Sequence, residues 1–500
     1  MQELANVNAC AAAGVDNPYA TNAAVNGAPC TPVLTNTQAG LPAGLRHAPT
    51  LRLEPRFGFA YRPFGNDRTS IRGGAGYYNI TTTGALFYAI AQTLQANFQT
   101  FTNTYSAGGP AFAFPSLSAP GIITPAYGST YFYSAIDTNW KDPYSLQTDL
   151  SIDHDFGHNL GGRISYVGMH TWHLVWQPQF NQLPRSSTVR SADQPQSAYP
   201  FPNFYQITDR STSAQADYRS LQAELSHRLK NGLSFNSSYN LAKNLSDNQG
   251  SYNNFNGAGF VDEQGGYSPT DSLDRHMDYG NVSATRRHRS LTTVIYELPL
   301  GSGRRFGGSM NRLADIAVGG WQLSNIFLWQ SGPFLTAVLP AGTIDPSGTG
   351  SGTYVGGAAQ RPDRVANGNS GRHDRNRWFN NDAFACPGRT SYASLAPVNG
   401  STPCDVGVGT LPIGRFGTES VGDLVGPGTV SLSSGLSKSF TIVEGVRLRA
   451  EGTFTNILNH TNLADPELDI TQPNFGQITQ SRGSDFGGNR TGQLSLKLQF

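Results

Sequence analysis

Polar and apolar residues alternate over short stretches of this chain, and this period of two limits its fold more than any other feature. In the last stretch, "GQLSLKLQF", the apolar residues Leu494, Leu496, Leu498 and Phe500 are separated by polar ones. Successive side chains of a β-strand point to opposite faces, so the pattern predicts a strand with one polar and one apolar face. Either a soluble sheet or a membrane barrel would show it.

Ten further segments alternate in the same way, which gives eleven predicted strands. They start near residues 55, 69, 145, 162, 220, 233, 289, 320, 429 and 446. Many run for about ten residues, which is roughly the length that a tilted strand needs to cross a bilayer. The segments are therefore long enough for a transmembrane barrel.

The connections between the predicted strands alternate between short and long. The short ones cover residues 63–68, 157–161, 230–232, 299–319 and 441–445, and the long ones cover 80–143, 175–217, 246–287, 332–427 and 459–489. An outer-membrane barrel has short periplasmic turns and long outer loops, whereas a sandwich or propeller has no reason to sort its loops in this way. The stretch 84–101 stays open at this point, as a helix in a loop or as a further hairpin.

Seven charged residues inside the predicted strands fall on the polar side of the alternation. They are Asp149, Asp153, Glu224, Arg228, Arg447, Arg449 and Glu451. Charges of this kind would be very costly on a lipid-facing surface. We expect them to face the lumen of a barrel, although the solvent-facing side of a soluble sheet would suit them equally well.

The composition agrees with a protein rich in strands and turns. The chain has 500 residues, of which 57 are Gly, and aromatic residues make up 11%. Charged residues reach only 14%, below the usual level of about 25%. The net charge of +1 gives no support to a nucleic-acid partner. No apolar run approaches the ~20 residues of a spanning helix.

No catalytic or metal-binding motif is present, so we expect neither an enzyme nor a cofactor. The sequence contains no GxSxG, HExxH or P-loop pattern. The acidic residues of the loop 262–278, among them Asp271 and Asp278, are expected to be solvated. Their spacing fits no EF-hand, and calcium binding is the alternative.

Two groups of residues are candidates for contact with a ligand. The first comprises the loop aromatics Tyr252, Phe255, Phe260 and Tyr267, and the second comprises Arg286, Arg287 and Arg289. The aromatic rings could stack on a glycan or could simply pack within the loop. The three arginines open a predicted strand and are interpreted as a cluster at the mouth of the lumen.

The four cysteines form two pairs that are close in sequence. They are Cys10 with Cys30 and Cys386 with Cys404. Each pair would close a short loop, so two disulfides in an oxidising compartment or four unpaired thiols are both open. The first residues show no recognisable signal peptide, which taken alone would suggest a cytosolic protein.

In order and number, these segments resemble the C-terminal half of an Oar-like TonB-dependent outer-membrane receptor. The resemblance covers roughly residues 40–500 and includes "PRFGFAYRPFGNDRTSIRGGAGYYN", "RHRSLTTVIYELPLGSGRRF" and "GPGTVSLSSGLSKSF". It implies an all-β fold, namely an antiparallel transmembrane β-barrel that is incomplete here, about half of a 22-stranded barrel. It places residues 46–500 in the barrel and residues 1–45 in the tail of an extracellular loop.

The resemblance also implies location, partners and function. The location is the outer membrane of a Gram-negative-type bacterium, and the function is uptake of an unidentified nutrient with energy from the TonB system. Residues Leu494, Leu496, Leu498 and Phe500 would be the signal that the barrel assembly machinery recognises. The N-terminal domain, the plug and the TonB-contacting segment of the family are not visible, so we interpret the chain as a fragment.

Two other classes of function remain open. One is an outer-membrane adhesion or ligand-binding protein that uses a barrel without transport. The other is a secreted soluble β-enzyme, for which the sequence offers no catalytic constellation.

Overall fold

The computed structural model describes most of the predicted strands and parts of the long connections. The described residues are 51–79, 132–185, 206–248, 269–339, 361–387, 415–483 and 488–500, except for 66, 284 and 444, together with a few isolated residues and two-residue strands. Residues 84–101 lie outside them, as does most of the segment 1–45.

Eleven strands of the described residues form one antiparallel meander, in which each strand pairs with the next. They are β1 (Arg56–Tyr61), β2 (Thr69–Asn79), β3 (Tyr144–Gly157), β4 (Leu160–Trp176), β5 (Gln206–Lys230), β6 (Leu233–Ser246), β7 (His288–Glu297), β8 (Trp321–Gln330), β9 (Thr429–Val443), β10 (Val446–Thr455) and β11 (Thr491–Gln499). The prediction of eleven strands is confirmed. The sheet is not closed, since β1 and β11 are its two edges.

The short connections lie at one end of the sheet, as predicted, because tight turns join the strands there. Asn231 and Gly232 between β5 and β6 have φ angles of 51° and 82°. An Asn-Gly pair adopts positive φ at little cost and suits a two-residue hairpin. The longest connection at this short-turn end holds helix α1 (Arg312–Val318). No helix among the described residues is long and apolar enough to cross a membrane.

The predicted long connection 175–217 is partly wrong. Strand β4 continues to Trp176 and β5 already begins at Gln206, which makes β5 25 residues long. The start of β5 also pairs in parallel with a short strand, Phe132–Ile136. These extensions are held by backbone hydrogen bonds and show little alternation, so a pattern based on side chains could not detect them.

The first long connection adds no strand to the meander within the described residues. Strand β2 pairs directly with β3 along its whole length, from Thr69 opposite His154 to Asn79 opposite Tyr144. Nothing is inserted between them. The odd strand count therefore holds for the part of the chain that the structure describes.

The register divides the side chains into two faces, which we call the polar face and the apolar face. Large aromatic side chains gather at both ends of the apolar face. At the short-turn end they include Tyr61, Phe156, Trp321 and Phe440, and at the long-loop end they include Tyr77, Tyr144, Trp172 and Trp329.

The spacing of these two aromatic rows corresponds to the thickness of a bilayer. Trp321 and Trp329 on β8 are eight residues apart, or about 26 Å along a strand. A tilt of about 40° reduces this to about 20 Å. The same estimate for Tyr144 and Phe156 on β3 is about 30 Å. These values bracket the apolar band of about 25 Å that transmembrane barrels carry between their aromatic girdles.

The main buried apolar cluster lies in the long connections and not in the sheet. Its members are Leu335, Ala337, Leu339, Phe379, Ala383, Phe384, Cys386, Leu424, Ile470 and Phe475. They come from four sequence segments that fold together at the long-loop end. We call the described residues 269–283, 333–339, 361–387, 415–428 and 462–482 the loop cap.

Candidate functional site

The strand register places the seven predicted charges on one continuous face. On β5, Glu224 lies opposite Arg163 of β4 and Ser238 of β6. Residues that lie directly opposite each other in neighbouring strands connect this face from β2 to β11. At its far end, Glu451 of β10 lies opposite Ser495 of β11. Asp149, Asp153, Arg228, Arg447 and Arg449 belong to the same set of partners. The expectation that these charges share a face agrees with the register.

Polar groups on the same face pair with four of these seven charges. Arg163 Nε donates to Asp153 Oδ1 at 2.6 Å, and Asn236 Nδ2 donates to Glu224 Oε1 at 2.6 Å. On β10, Arg449 and Glu451 form an ion pair at 3.2 Å. The polar face is therefore a hydrogen-bonded surface with charges of both signs.

A cavity of about 600 Å³ lies at the short-turn end of β2–β5. Eight charged residues line it, four acidic and four basic: Asp67, Asp153, Asp155, Glu224, Arg68, Arg72, Arg163 and Arg228. This balance gives no net attraction for an anion or a cation. The cavity suits a neutral polar solute or a polypeptide segment with mixed charges.

The alternation of polar and apolar residues reverses locally in β7 and β8. Ile295 and Ile326 point to the polar face and are 44% and 51% exposed. Thr292 and Asn325 point to the apolar face.

Hydrogen bonds between neighbouring strands satisfy these polar groups on the apolar face. Ser434 Oγ donates to Asn325 Oδ1 at 2.7 Å, and Thr292 Oγ1 lies 2.8 Å from Ser237 Oγ. Pairing of this kind limits the cost of polar groups in an apolar environment.

A buried arginine joins three segments of the loop cap. Arg361 is 2% exposed, and its NH1 group donates to Asp278 Oδ1 and to Thr270 Oγ1, both at 2.8 Å. Its Nε donates to the carbonyl of Glu419 at 2.7 Å, and its NH2 group donates to the carbonyl of Met277 at 2.6 Å. The expectation of solvated acids in this loop is wrong for Asp271 and Asp278, which are 1% and 0% exposed.

A second buried ion pair lies beside the first. Arg364 NH1 donates to Glu419 Oε2 at 2.9 Å, and NH2 donates to Asp423 Oδ2 at 2.7 Å. Burial raises the pKa of Glu419 to about 7, and the charge of Asp423 acts in the same direction, whereas Arg364 and Arg361 oppose the rise. Among the described residues, Glu419 Oε1 has no hydrogen-bond partner. No sequence motif marks these residues, because they come together only when the long connections fold.

The structure separates the three arginines that were predicted to form one cluster. Arg289 lies on the polar face opposite Gln330 and is exposed. Arg286 is partly buried, which lowers its pKa, and the nearby charge of Arg482 lowers it further. The guanidinium of Arg287 stacks over the ring of Phe334 at 5.3 Å. Only Arg289 is therefore placed for contact with a solute in the lumen.

Other candidates fall partly outside the described residues. Those outside are Tyr252, Phe255, Phe260, Tyr267, Cys10, Cys30 and Cys404. Cys386 is disulfide-bonded and lies in the apolar cluster of the cap. At the other end of the chain, Leu494, Leu496 and Leu498 lie on the apolar face of β11, and Phe500 is 98% exposed.

Residues 5–493 match the profile of a protein family described as an outer membrane beta barrel domain. The match covers almost the whole chain, so the chain belongs to this family. It is an outer-membrane protein with an antiparallel β-barrel fold, as the sequence predicted. In such a barrel we expect the polar face on the lumen side, the apolar face on the lipid side and the loop cap outside the cell.

Solved outer-membrane structures are similar to this chain. The outer membrane transporter YddB from Escherichia coli has a TM-score of 0.44 and 8% identity, and the match covers 89% of this chain and 40% of that one. The ferripyoverdine receptor of the outer membrane of Pseudomonas aeruginosa has a TM-score of 0.37 and 9% identity, and the match covers 90% of this chain and 33% of that one. The ferric citrate transporter FecA has a TM-score of 0.36 and 9% identity, and the match covers 89% of this chain and 38% of that one.

The chain spans two fifths of the length of these structures or less. No curated protein matches the sequence.

Proposed function

We propose that this chain is the C-terminal barrel portion of an Oar-like TonB-dependent receptor that takes up an unidentified nutrient. The observation that carries the proposal is the polar, hydrogen-bonded face that continues from β2 to β11. A wall of this kind lines a water-filled path across the membrane. The folded cap above it offers a fixed surface on which a solute can be recognised before it enters.

Transport in such a receptor requires a plug and a TonB-contacting segment. We propose that these parts come from outside the residues of this sequence. The mixed charges of the cavity at the short-turn end support a contact with a polypeptide segment there. We also propose that the protein is not an enzyme, since its sequence contains no GxSxG, HExxH or P-loop pattern.

The proposal can be tested without knowing the nutrient. Cells with and without the intact gene are grown in a defined medium that contains mixed oligosaccharides, peptides and metal chelates. Depletion of each solute is followed by mass spectrometry, with and without a protonophore. We expect at least one solute whose depletion needs both the gene and the proton-motive force.

The alternative is an adhesion or ligand-binding barrel without transport. The compact packing of the loop cap supports it, since a rigid extracellular surface also suits attachment. This alternative predicts that loss of the gene reduces attachment of cells to a surface and leaves the depletion of every solute unchanged. That result would overturn the transport proposal.

The last residues are proposed to serve as the signal for the barrel assembly machinery. Phe500 is fully accessible and follows three leucines on the lipid side of β11. The variant Phe500→Ala is expected to lower the amount of protein in the outer membrane several-fold without changing its synthesis. Immunoblots of membrane fractions measure this, with Phe454→Ala as a control for the loss of a lipid-facing aromatic ring.

A further inference from the structure

Two cations lie directly opposite each other on the lipid side of the barrel, near its extracellular rim. Arg219 of β5 pairs in register with Lys243 of β6, and both side chains are exposed. Directly opposed side chains have Cβ atoms only about 5 Å apart, and like charges in such a pair destabilise a sheet. The repulsion between the two cations is therefore relieved either by a nearby anion or by one side chain turning away into water.

The acidic neighbour offsets only one of the two charges. Asp217 binds Arg219 through Nε at 2.8 Å and through NH2 at 3.1 Å, and it also lies 3.2 Å from His170 Nδ1. Lys243 has no ion pair among the described residues. The group therefore keeps a net positive charge.

An apolar pair lies immediately below the two cations on the same face. Leu221 is directly opposite Leu241, one row closer to the membrane centre, and the two side chains are 47% and 36% exposed. Tyr239, one residue pair further down β6, lies 2.8 Å from His288 through its hydroxyl group. Tyr239 therefore extends the lipid-facing surface below the leucine pair.

From this arrangement we infer that Arg219 and Lys243 bind the phosphate of an anionic lipid in the outer leaflet. The phosphate sits between the two cations, and the acyl chains run down over Leu221 and Leu241. Basic residues beside an apolar membrane surface recognise lipid headgroups in this way. A soluble phosphate would use the cations alone and would gain nothing from the leucine pair.

The inference is tested with the full protein in mild detergent after removal of lipid. Lipid A with two phosphates is titrated and the adducts are counted by native mass spectrometry. We expect Lys243→Gln to weaken binding about five-fold, since one interfacial cation contributes about that much. Lys243→Arg is expected to restore it. Lys230→Gln, at the short-turn end of the neighbouring strand β5, is the matched control and is expected to have no effect.

Three outcomes would overturn the inference. The first is unchanged binding in Lys243→Gln. The second is equally tight binding of lipid A without phosphates. The third is displacement of the lipid by millimolar inorganic phosphate, which would assign the site to a soluble anion. The heat-dependent shift of the folded barrel on a gel verifies that each variant is folded. None of these outcomes depends on whether the protein transports a nutrient.

Discussion

At the scale of single residues, the loop cap depends on buried ion pairs between segments that are distant in sequence. The three nitrogen groups of Arg361 hold two segments of the cap together. One segment contains Met277 and Asp278, and the other contains Glu419. A buried ion pair adds little net stability relative to apolar residues, but removing one partner leaves a charge without compensation. Such a pair therefore determines which loops meet and in which arrangement.

The first prediction concerns this arginine. Arg361→Ala leaves Asp278 buried without a counter-ion, and we expect local opening of residues 270–279 to become easier by about 3–5 kcal/mol. Hydrogen exchange of the backbone amides measures this change. Arg377→Ala is the control, because Arg377 pairs with Asp382 at the surface and its loss should change stability by about 0–1 kcal/mol. Equal effects of the two variants would contradict the prediction.

The second prediction concerns Glu419, whose pKa is raised from 4.5 to about 7, mainly by burial. The folded cap therefore binds a proton more tightly than the unfolded chain does. Its contribution to stability is complete below about pH 4.5 and is lost as the pH rises through about 7, with a limit of about 3 kcal/mol. Arg364, Arg361 and Asp423 are the charged groups that face this carboxyl.

We expect exchange protection of residues 415–426, corrected for the intrinsic effect of pH, to fall between pH 5 and pH 8. Glu419→Gln should remove this dependence, because the amide does not titrate. Persistence of the same pH profile in the variant would show that another group is responsible.

At the scale of elements, alternation along each strand separates lipid from lumen. Leu150 of β3 lies on the lipid side between the two aromatic rows, and its neighbour Ser151 lies on the lumen side. Side chains one residue apart thus meet environments of very different polarity. The strand is stable in only one register, because a shift by one residue would exchange the two sets.

The third prediction uses this contrast. Leu150→Lys places a charge near the middle of the apolar band and is expected to destabilise the barrel by about 2–4 kcal/mol. Ser151→Lys, one residue away, should be tolerated. The folded fraction in the outer membrane is measured by the heat-dependent shift on a gel. Similar losses for both variants would mean that β3 does not separate lipid from lumen.

At the scale of the whole molecule, the direction of the edge strands limits how the barrel can close. Strands β1 and β11 both run from the long-loop end to the short-turn end, since the meander between them holds an odd number of strands. They cannot pair with each other in an antiparallel manner. Bacterial single-chain barrels have an even number of strands, so closure needs an odd number of further strands between β11 and β1.

The fourth prediction follows from these directions. Cysteines introduced by Ala60→Cys on β1 and Gln499→Cys on β11, both on the lumen side near the short-turn end, are expected not to form a disulfide in outer membranes. Thr453→Cys with Gln493→Cys is the positive control, because these residues lie directly opposite each other on β10 and β11. Efficient cross-linking of the first pair would show that the two edges meet directly.

The sequence alone determined the eleven strands, their order, the position of their turns and the common face of the seven predicted strand charges. These features depend on residues that are neighbours in the chain, and alternation or an Asn-Gly pair records them directly. The alternation is weaker in β7 and β8, where the apolar Ile295 lies on the polar face and the polar Asn325 lies on the apolar face. The extensions of β4 and β5 were missed because backbone hydrogen bonds hold them.

Only the tertiary structure decided how the long connections fold. The pairing of Arg361 with Asp278 and of Arg364 with Glu419 brings together residues that are distant in sequence. Acidic residues in a Gly-rich loop have the same local sequence whether they are solvated or buried. Their burial depends on segments far along the chain that supply the counter-ions, and no local pattern contains that information.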